Sequence, residues 1–400
     1  MEQVFFPLDE ELGLLPGRLT PKQQENLAHL GSWMPFAKAA HLLERLVGVQ
    51  VSESTVRRQT VHAGKMVQQE EDERSQQETK KEQPEASVPA QMAVSADGAF
   101  VPLVGGIWAE ARTLAVATVV QTNQETRSTE LSSFSRMTDA TTFTSLCTGE
   151  MQQRHLFQAP AVADIMDGAE WLQGLLDVHR PDAVRILDFP HAAQRVSAIV
   201  EAAQHTGQQM APDALKRSLH LLKHGGPRPV LRWLGYLTRK MASACKAHED
   251  LTYLQKRESL MQYPQYQARG WPIGSGMVES ANKLVVQARL KGSGMHWATP
   301  HVNPMLAWRS AVCSDRWDDA WQVATSRTRR QHHQQRVERI QQRQQQATTR
   351  FLLAWMRFLP PRRNDLTPPP APPAVAKMVN GHPTAHHPWK RSFANLSAKI

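Results

Sequence analysis

The chain has 400 residues, enough for two or three domains with real cores. Its 47 Lys and Arg against 37 Asp and Glu leave a formal charge of +10, which favours a polyanionic partner, nucleic acid first. Three scattered cysteines, Cys147, Cys245 and Cys313, exclude a disulfide framework and a cysteine-rich zinc module, so a reducing cytosol is expected. The start lacks a signal-peptide pattern, and no run approaches the roughly 18 apolar residues of a membrane helix, so no membrane partner is expected.

Residues 1–67 read as a helical unit. Within 35–64, one helix turns Phe36, Ala39, Ala40, Leu43 and Val47 inward, Gly48 makes a turn, and Ser52 opens a second helix. This is the outline of a helix-turn-helix whose second helix enters a DNA major groove. Val56 and Thr60 then face the first helix, and Glu53, Arg57 and Arg58 point outward. An ordinary helical hairpin with solvated arginines fits the same pattern. His41 is read as a packing residue rather than a ligand.

Residues 68–88 are polar and mostly acidic, without an apolar face, and read as a solvated helix extension or linker. From 89 to 190, strand-like runs alternate with helical ones: QMAVSAD, WAEARTLAVATVV, helical TTFTSLCTGEMQQRHL, PAVADIMD, helical GAEWLQGLLDVH, and AVRILDF. Such an order suggests an α/β domain with a central sheet. Residues 191–268 contain only amphipathic helical text and read as an all-helical insertion. The α/β domain resumes at 269–326, where Ser275 can cap a helix that buries Met277, Ala281, Leu284, Val285 and Ala288. Residues 327–358 form an exposed basic helix, and 359–400 a proline-rich disordered tail.

Three acids suit metal-dependent phosphoryl transfer. Asp97 ends QMAVSAD and precedes Gly98; Asp167 ends PAVADIMD and precedes Gly168; Glu279 lies on the helix after a flexible GSG. Carboxylates at the ends of neighbouring strands, with one from a packed helix, can hold two Mg²⁺ ions through hard oxygen ligands. Such ions sit about 3.5 to 4 Å apart, one activating the attacking oxygen and the other stabilising the leaving oxygen. Asp-Gly pairs also mark turns and helix caps, and Glu279 can form a surface ion pair with Lys283 four residues on.

The segments VSADGAFVPL, ADIMDGAEWLQGLL, ILDFPHAAQRV, PIGSGMVESANK and KGSGMHW closely resemble bacterial insertion-sequence transposases of the ISKra type, a DDE group. The likeness runs from about Ala90 to Trp321 and extends to the preceding helix-turn-helix and the closing HPWKR. It implies an α/β RNase H-like core, a mixed five-stranded sheet flanked by helices, interrupted by the helical insertion. The implied activity is cleavage and joining of DNA at the ends of a mobile element, with Asp97, Asp167 and Glu279 as catalytic and metal-binding acids. Mg²⁺ would be the cofactor, with Mn²⁺ a substitute. Asp188 and His191 resemble a D-x-x-H motif that supports the site, and Asp188 is the alternative second acid. Asp164 is a weaker candidate, expected on the opposite strand face from Asp167. Arg57, Arg58, Lys283, Arg289 and Lys291 are the expected DNA contacts. The implied partners are terminal-repeat and target duplexes and a second copy of the chain, as a homodimer or larger assembly, in a bacterial cytoplasm near the nucleoid. The rival expectations are a catalytically inactive DNA-binding relic or regulator and a non-transposing RNase H-like nuclease.

Overall fold

The computed structural model describes residues 19–76, 88–122, 125–242, 245–358, 378–379 and 382–383. Two compact units are distinguished, Met1–Gln334 and Gln335–Ile400, each taken by itself.

The first unit opens with helices α1 (Pro21–Trp33), α2 (Phe36–Val47) and α3 (Glu53–Gln76). A reciprocal capping box between Thr20 and Gln23 starts α1. Gly48 ends α2 at φ +68°, a conformation glycine adopts without strain. Phe36, Ala39, Leu43 and Val56 share a core, and Thr60 is buried against Gly31 of α1. Val47, expected inward, is instead exposed at the last turn, as is His41.

The acidic stretch follows the helix-extension alternative as far as Gln76, but its face is not simply solvated. The chain stays helical to Gln76, and its acids pair with the buried Arg136 and the half-buried Arg327. Arg136 Nη2 lies 2.7 Å from Glu71 and 3.1 Å from Asp72, while Arg327 pairs with Glu70 and Glu73. Polarity alone did not reveal a face that buries charge by pairing it. Residues 77–87 of the expected linker lie outside the described residues.

Strands β1 (Gln91–Pro102), β2 (Trp108–Gln121), β3 (Thr126–Arg136), β4 (Ala161–Met166) and β5 (Val184–Leu187) form one mixed sheet in the order β3-β2-β1-β4-β5. The β1–β2 and β2–β3 pairs are antiparallel, and β1–β4 and β4–β5 are parallel. β1 continues five residues beyond Asp97, where a turn was expected. β3 was not among the expected runs; its Ser132, Ser133, Ser135 and Arg136 are buried without an apolar alternation to reveal them.

Alternate residues serve two cores. Met92, Val94, Val162 and Met166 meet α4 (Ala140–Gln153) and α5 (Glu170–His179) through Phe143, Met151, Leu175 and Leu176. Ala93, Ala163, Ile165 and Ile186 face the other way. They meet the helices that follow, α6 (Phe189–His205), α7 (Ala214–Gly225), α8 (Pro227–Thr238), α9 (Lys246–Lys256) and α10 (Tyr263–Ala268). No strand occurs among the described residues of that segment.

The Glu279 helix begins as α11 (Gly276–Ala281), widens into a π-helical segment (Asn282–Gln287) and ends as α12 (Ala288–Leu290). Its buried positions are 277–278, 281–282, 285–286 and 289–290, a period of four. The wider π turn slows the rotation per residue, so Leu284 and Ala288, inward on a 3.6-residue period, are exposed. Helix α13 (Thr299–Cys313) then packs on α3, with Trp308 Nε1 donating to Thr60 O at 2.9 Å. Helix α14 (Trp317–Phe358) is exposed from His333 to Ala354. In the second unit Met378–Val379 pairs antiparallel with His382–Pro383; the rest of 359–400, including HPWKR, lies outside the described residues. No helix among the described residues is long and apolar enough to cross a membrane.

Candidate active site

Strand register gathers the acids. In the β1–β4 ladder Val94 stands opposite Asp164, and in the β4–β5 ladder Met166 stands opposite Leu187. Carried past the last pairs, these registers set Asp97, Asp167 and Asp188 in a single row across three adjacent parallel strands. The β4–β5 ladder persists to that level, because Asp188 N–H donates to Met166 O at 2.7 Å, and Asp97 feels the charge of Asp167 beside it. Side chains alternate along a strand, so the row faces the same side as Ala93, Ile165 and Ile186, where the Glu279 helix also packs. Asp164 faces the opposite side, as expected. It is paired with Arg185 at 2.7 Å, and burial pushes its pKa up to about 6.

Hydrogen bonds give the row's three members different characters. Asp97 is half-buried; its Oδ1 accepts from Gly98 N–H at 2.7 Å and its Oδ2 from Asn282 Nδ2 at 2.9 Å. Burial raises its pKa, and the nearby negative charge of Asp167 raises it further. Asp167 Oδ1 accepts from Ala169 N–H at 2.8 Å, and its Oδ2 has no hydrogen-bond partner among the described residues. The turn behind it is clamped by the insertion. Tyr253 O–H donates to Asp167 O, and Arg257 Nη2 to Gly168 O at 2.6 Å. Gly168 adopts φ +85°, and a side chain there would run into Tyr253 and Arg257.

Asp188 is fully buried and saturated. Its Oδ1 accepts from Ser275 N–H at 2.6 Å; its Oδ2 pairs with His191 Nδ1 at 2.6 Å and accepts from His191 N–H at 3.0 Å. Burial works to raise its pKa, but these bonds outweigh burial and hold it below the ordinary carboxylate value. The bond to Asp188 raises the His191 pKa, aided by the charges of Asp167 and Asp97, so the imidazole stands within electrostatic range of the whole row. The GSG segment, expected to be flexible, is thereby tied to the end of β5, and Phe189 N–H adds a bond to Ile273 O at 2.9 Å.

Glu279 does not join the row. Its half-exposed side chain lies 4.0 Å from Lys283 Nζ, and Asn282, three residues later, takes the contact with Asp97. Among the described residues no three His, Cys, Asp or Glu side chains come together closely enough to hold a metal ion. The donors nonetheless suit a divalent cation. Two carboxylates that repel each other share the row, and the buried Asn282 Oδ1 beside them lacks a hydrogen-bond partner. Glu279 precedes Asn282 by about one turn, so its engagement calls for release of Lys283 and a rotation of its side chain.

The expected DNA contacts divide. Arg57, Arg58, Lys283 and Lys291 are exposed, and Lys291 Nζ lies 5.6 Å from the Trp108 ring centroid. Arg289 is 2 % exposed, held between the rings of Phe36 and Trp297, and donates to Gly31 O at 3.1 Å. Burial lowers its pKa to about 10, helped by the charge of Arg309. It is an internal strut between α1 and the Glu279 helix, not a surface for DNA. Asn282, Tyr253 and Arg257 contact the row or the turn behind it and were not assigned to the site from the sequence. Only Asn282 carried a signal, its spacing of three from Glu279. Compared with models of known protein families and with curated proteins, the chain matches none.

Proposed function

We propose that the chain is a DNA transposase of the DDE type that cuts and joins phosphodiester bonds with a divalent cation. The observation that carries this reading is the row of Asp97 and Asp167 on adjacent parallel strands, roofed by the helix that bears Glu279. The strand order β3-β2-β1-β4-β5, with three antiparallel strands followed by two joined in parallel, supports an RNase H-like core. The α2–Gly48–α3 element, with Val56 and Thr60 buried and Arg57 and Arg58 exposed, supports a helix-turn-helix reader of the element's ends.

Asp97, Asp167 and Glu279 would hold Mg²⁺, or Mn²⁺ in its place. When bound, the cation supplies the positive charge that activates the attacking oxygen and stabilises the leaving oxygen. The chain's own residues position these groups. Asn282 orients the Asp97 carboxylate, Tyr253 and Arg257 hold the Asp167 turn, and the Asp188–His191 pair anchors the start of the Glu279 helix. Lys283 and Lys291, exposed on the Glu279 helix and at its end, would supply phosphate contacts, and two copies would bring two DNA ends together.

The test is incubation of purified protein with a duplex carrying the element's terminal repeat and Mg²⁺ or Mn²⁺. Nicking at the end and joining to a second duplex are expected. The Glu279–Lys283 pairing favours one alternative, a DNA-binding relic without catalysis, which binds the repeat and leaves it intact. Cutting without preference for the repeat would instead indicate a non-transposing nuclease.

A further inference from the structure

Helix α14 carries a pattern that neither the acid row nor the helix-turn-helix uses. Every residue from Gln335 to Ala354, all within the second unit, is exposed. At the rise of an α-helix this segment is about 30 Å long. A helix surrounded by water has no need of large apolar side chains, yet Val337, Ile340 and Phe351 stand 38 %, 46 % and 48 % exposed on it.

Their spacing follows a rule. Between Val337 and Phe351 the only other apolar residues are Ile340 and Ala347. With Gln344 and Ala354 they occupy 337, 340, 344, 347, 351 and 354, in alternating steps of three and four. Such a repeat of about 3.5 residues keeps one narrow stripe turned toward a partner helix over its whole length. A helix resting on the body of its own domain shows a broader stripe with the period of an undistorted α-helix.

The flanking residues choose the partner and its direction. Arg336, Arg343 and Arg350 run along one side of the stripe, and Gln341 and Thr348 along the other. Two copies packed antiparallel would set the arginine rows against each other; packed parallel, each arginine row meets the Gln341 and Thr348 side. Gln344, the one polar residue in the stripe, makes the same choice. In a parallel, in-register pair it meets its own counterpart and the two amides bond each other, whereas antiparallel packing sets it against an apolar layer with its amide unpaired. A second copy in register guarantees that match, and an unrelated helix does not.

We infer that α14 pairs with the same helix of a second copy as a parallel, in-register two-stranded coiled coil, seamed by Val337, Ile340, Gln344, Ala347, Phe351 and Ala354. The pairing needs no DNA and draws nothing from the acid row, so it stands or falls apart from the transposase reading. The small Ala347 and Ala354 and the polar Gln344 bury little apolar surface, which makes the pair a weak one that depends on concentration.

The test uses the full chain without DNA. Sedimentation should show a monomer–dimer equilibrium. Ile340→Glu, at a position exposed in the single chain, should weaken it about a hundredfold, since each pair loses two isoleucines from its seam. Gln344→Ile should act in the opposite sense and tighten it about tenfold. Direction is read by oxidising Val337→Cys and Ala354→Cys with diamide, each beside the unsubstituted chain. Both should form a disulfide-linked dimer that the unsubstituted chain does not, because a parallel pair brings each position to its own counterpart. A chain that stays monomeric at about 100 μM, a dimer unchanged by Ile340→Glu, or crosslinking at neither position would overturn the inference. Crosslinking only between a Val337→Cys copy and an Ala354→Cys copy would show antiparallel packing and overturn it as well.

Discussion

Asp167 and Asp188 end neighbouring strands at the same level, and their surroundings give them opposite work. Asp188 has no exposure and takes donors on both oxygens, whereas Asp167 keeps one oxygen without a hydrogen-bond partner among the described residues. Asp188→Ala strands a buried backbone N–H and the His191 ring, so it should cost roughly 3 kcal/mol by urea unfolding. Asp167→Ala should leave the unfolding midpoint nearly unchanged and abolish strand cleavage. The reverse pattern would make Asp188 the second acid. The same pair has a pH signature. His191 has a raised pKa, so its stabilising contribution is fully present below the ordinary histidine value of about 6.5 and is lost as pH rises through the folded value. Asp188 has a lowered pKa; its contribution is present above about 3.9 and is lost as pH falls through the folded value. Urea midpoints measured from about pH 4 to about pH 9 should decline on the alkaline side through the His191 titration, and His191→Ala should flatten that decline.

At the scale of elements, the π segment decides which face of the Glu279 helix is buried. Val286→Ala should cost roughly 2 kcal/mol and Leu284→Ala under about 0.5, read as shifts in urea midpoint. A larger loss at Leu284 would mean an ordinary helix with the 3.6-residue pattern. This element shows how far the sequence could be read. Its existence and the burial of Met277, Ala281 and Val285 were legible, because apolar spacing encodes them; Ser275 precedes its first turn but makes no side-chain capping bond, contrary to expectation. The π register was not, since widening by one residue leaves composition untouched. Arg289 was misassigned for that reason, because the slower rotation turns it toward Phe36 and Trp297. Strand β3 was hidden by its serines and threonines, and the acids of α3 by partners distant in sequence, Arg136 and Arg327. The Asp-Gly turn at Asp167 was legible because glycine at positive φ is demanded where the strand ends.

Over the whole molecule, the excess of positive charge is spread rather than concentrated at one site. It occupies the insertion and the α14 helix, with the exposed Arg57, Arg58 and Lys65 on the first half of α3. Sequence-independent phosphate contacts of this kind weaken steeply with salt, and contacts that read bases confer preference for one sequence. Replacement of Arg57 and Arg58 by Ala should therefore abolish the preference for terminal-repeat over random duplex in a competition footprint while leaving most of the salt-sensitive binding. Unchanged preference would place the reader elsewhere. Within the unit Met1–Gln334 the α1–α3 helices are tied to the Glu279 helix by Arg289, to α13 by Trp308 and to β3 by Arg136, so these helices and the acid row belong to one body. Asp97 and Asp167 are proposed to form one cation site. Titration of the full chain with Mn²⁺, followed by electron paramagnetic resonance, tests it most directly. Saturable binding should disappear in Asp97→Asn and Asp167→Asn and weaken in Glu279→Gln; binding that persists unchanged in both aspartate variants would contradict it.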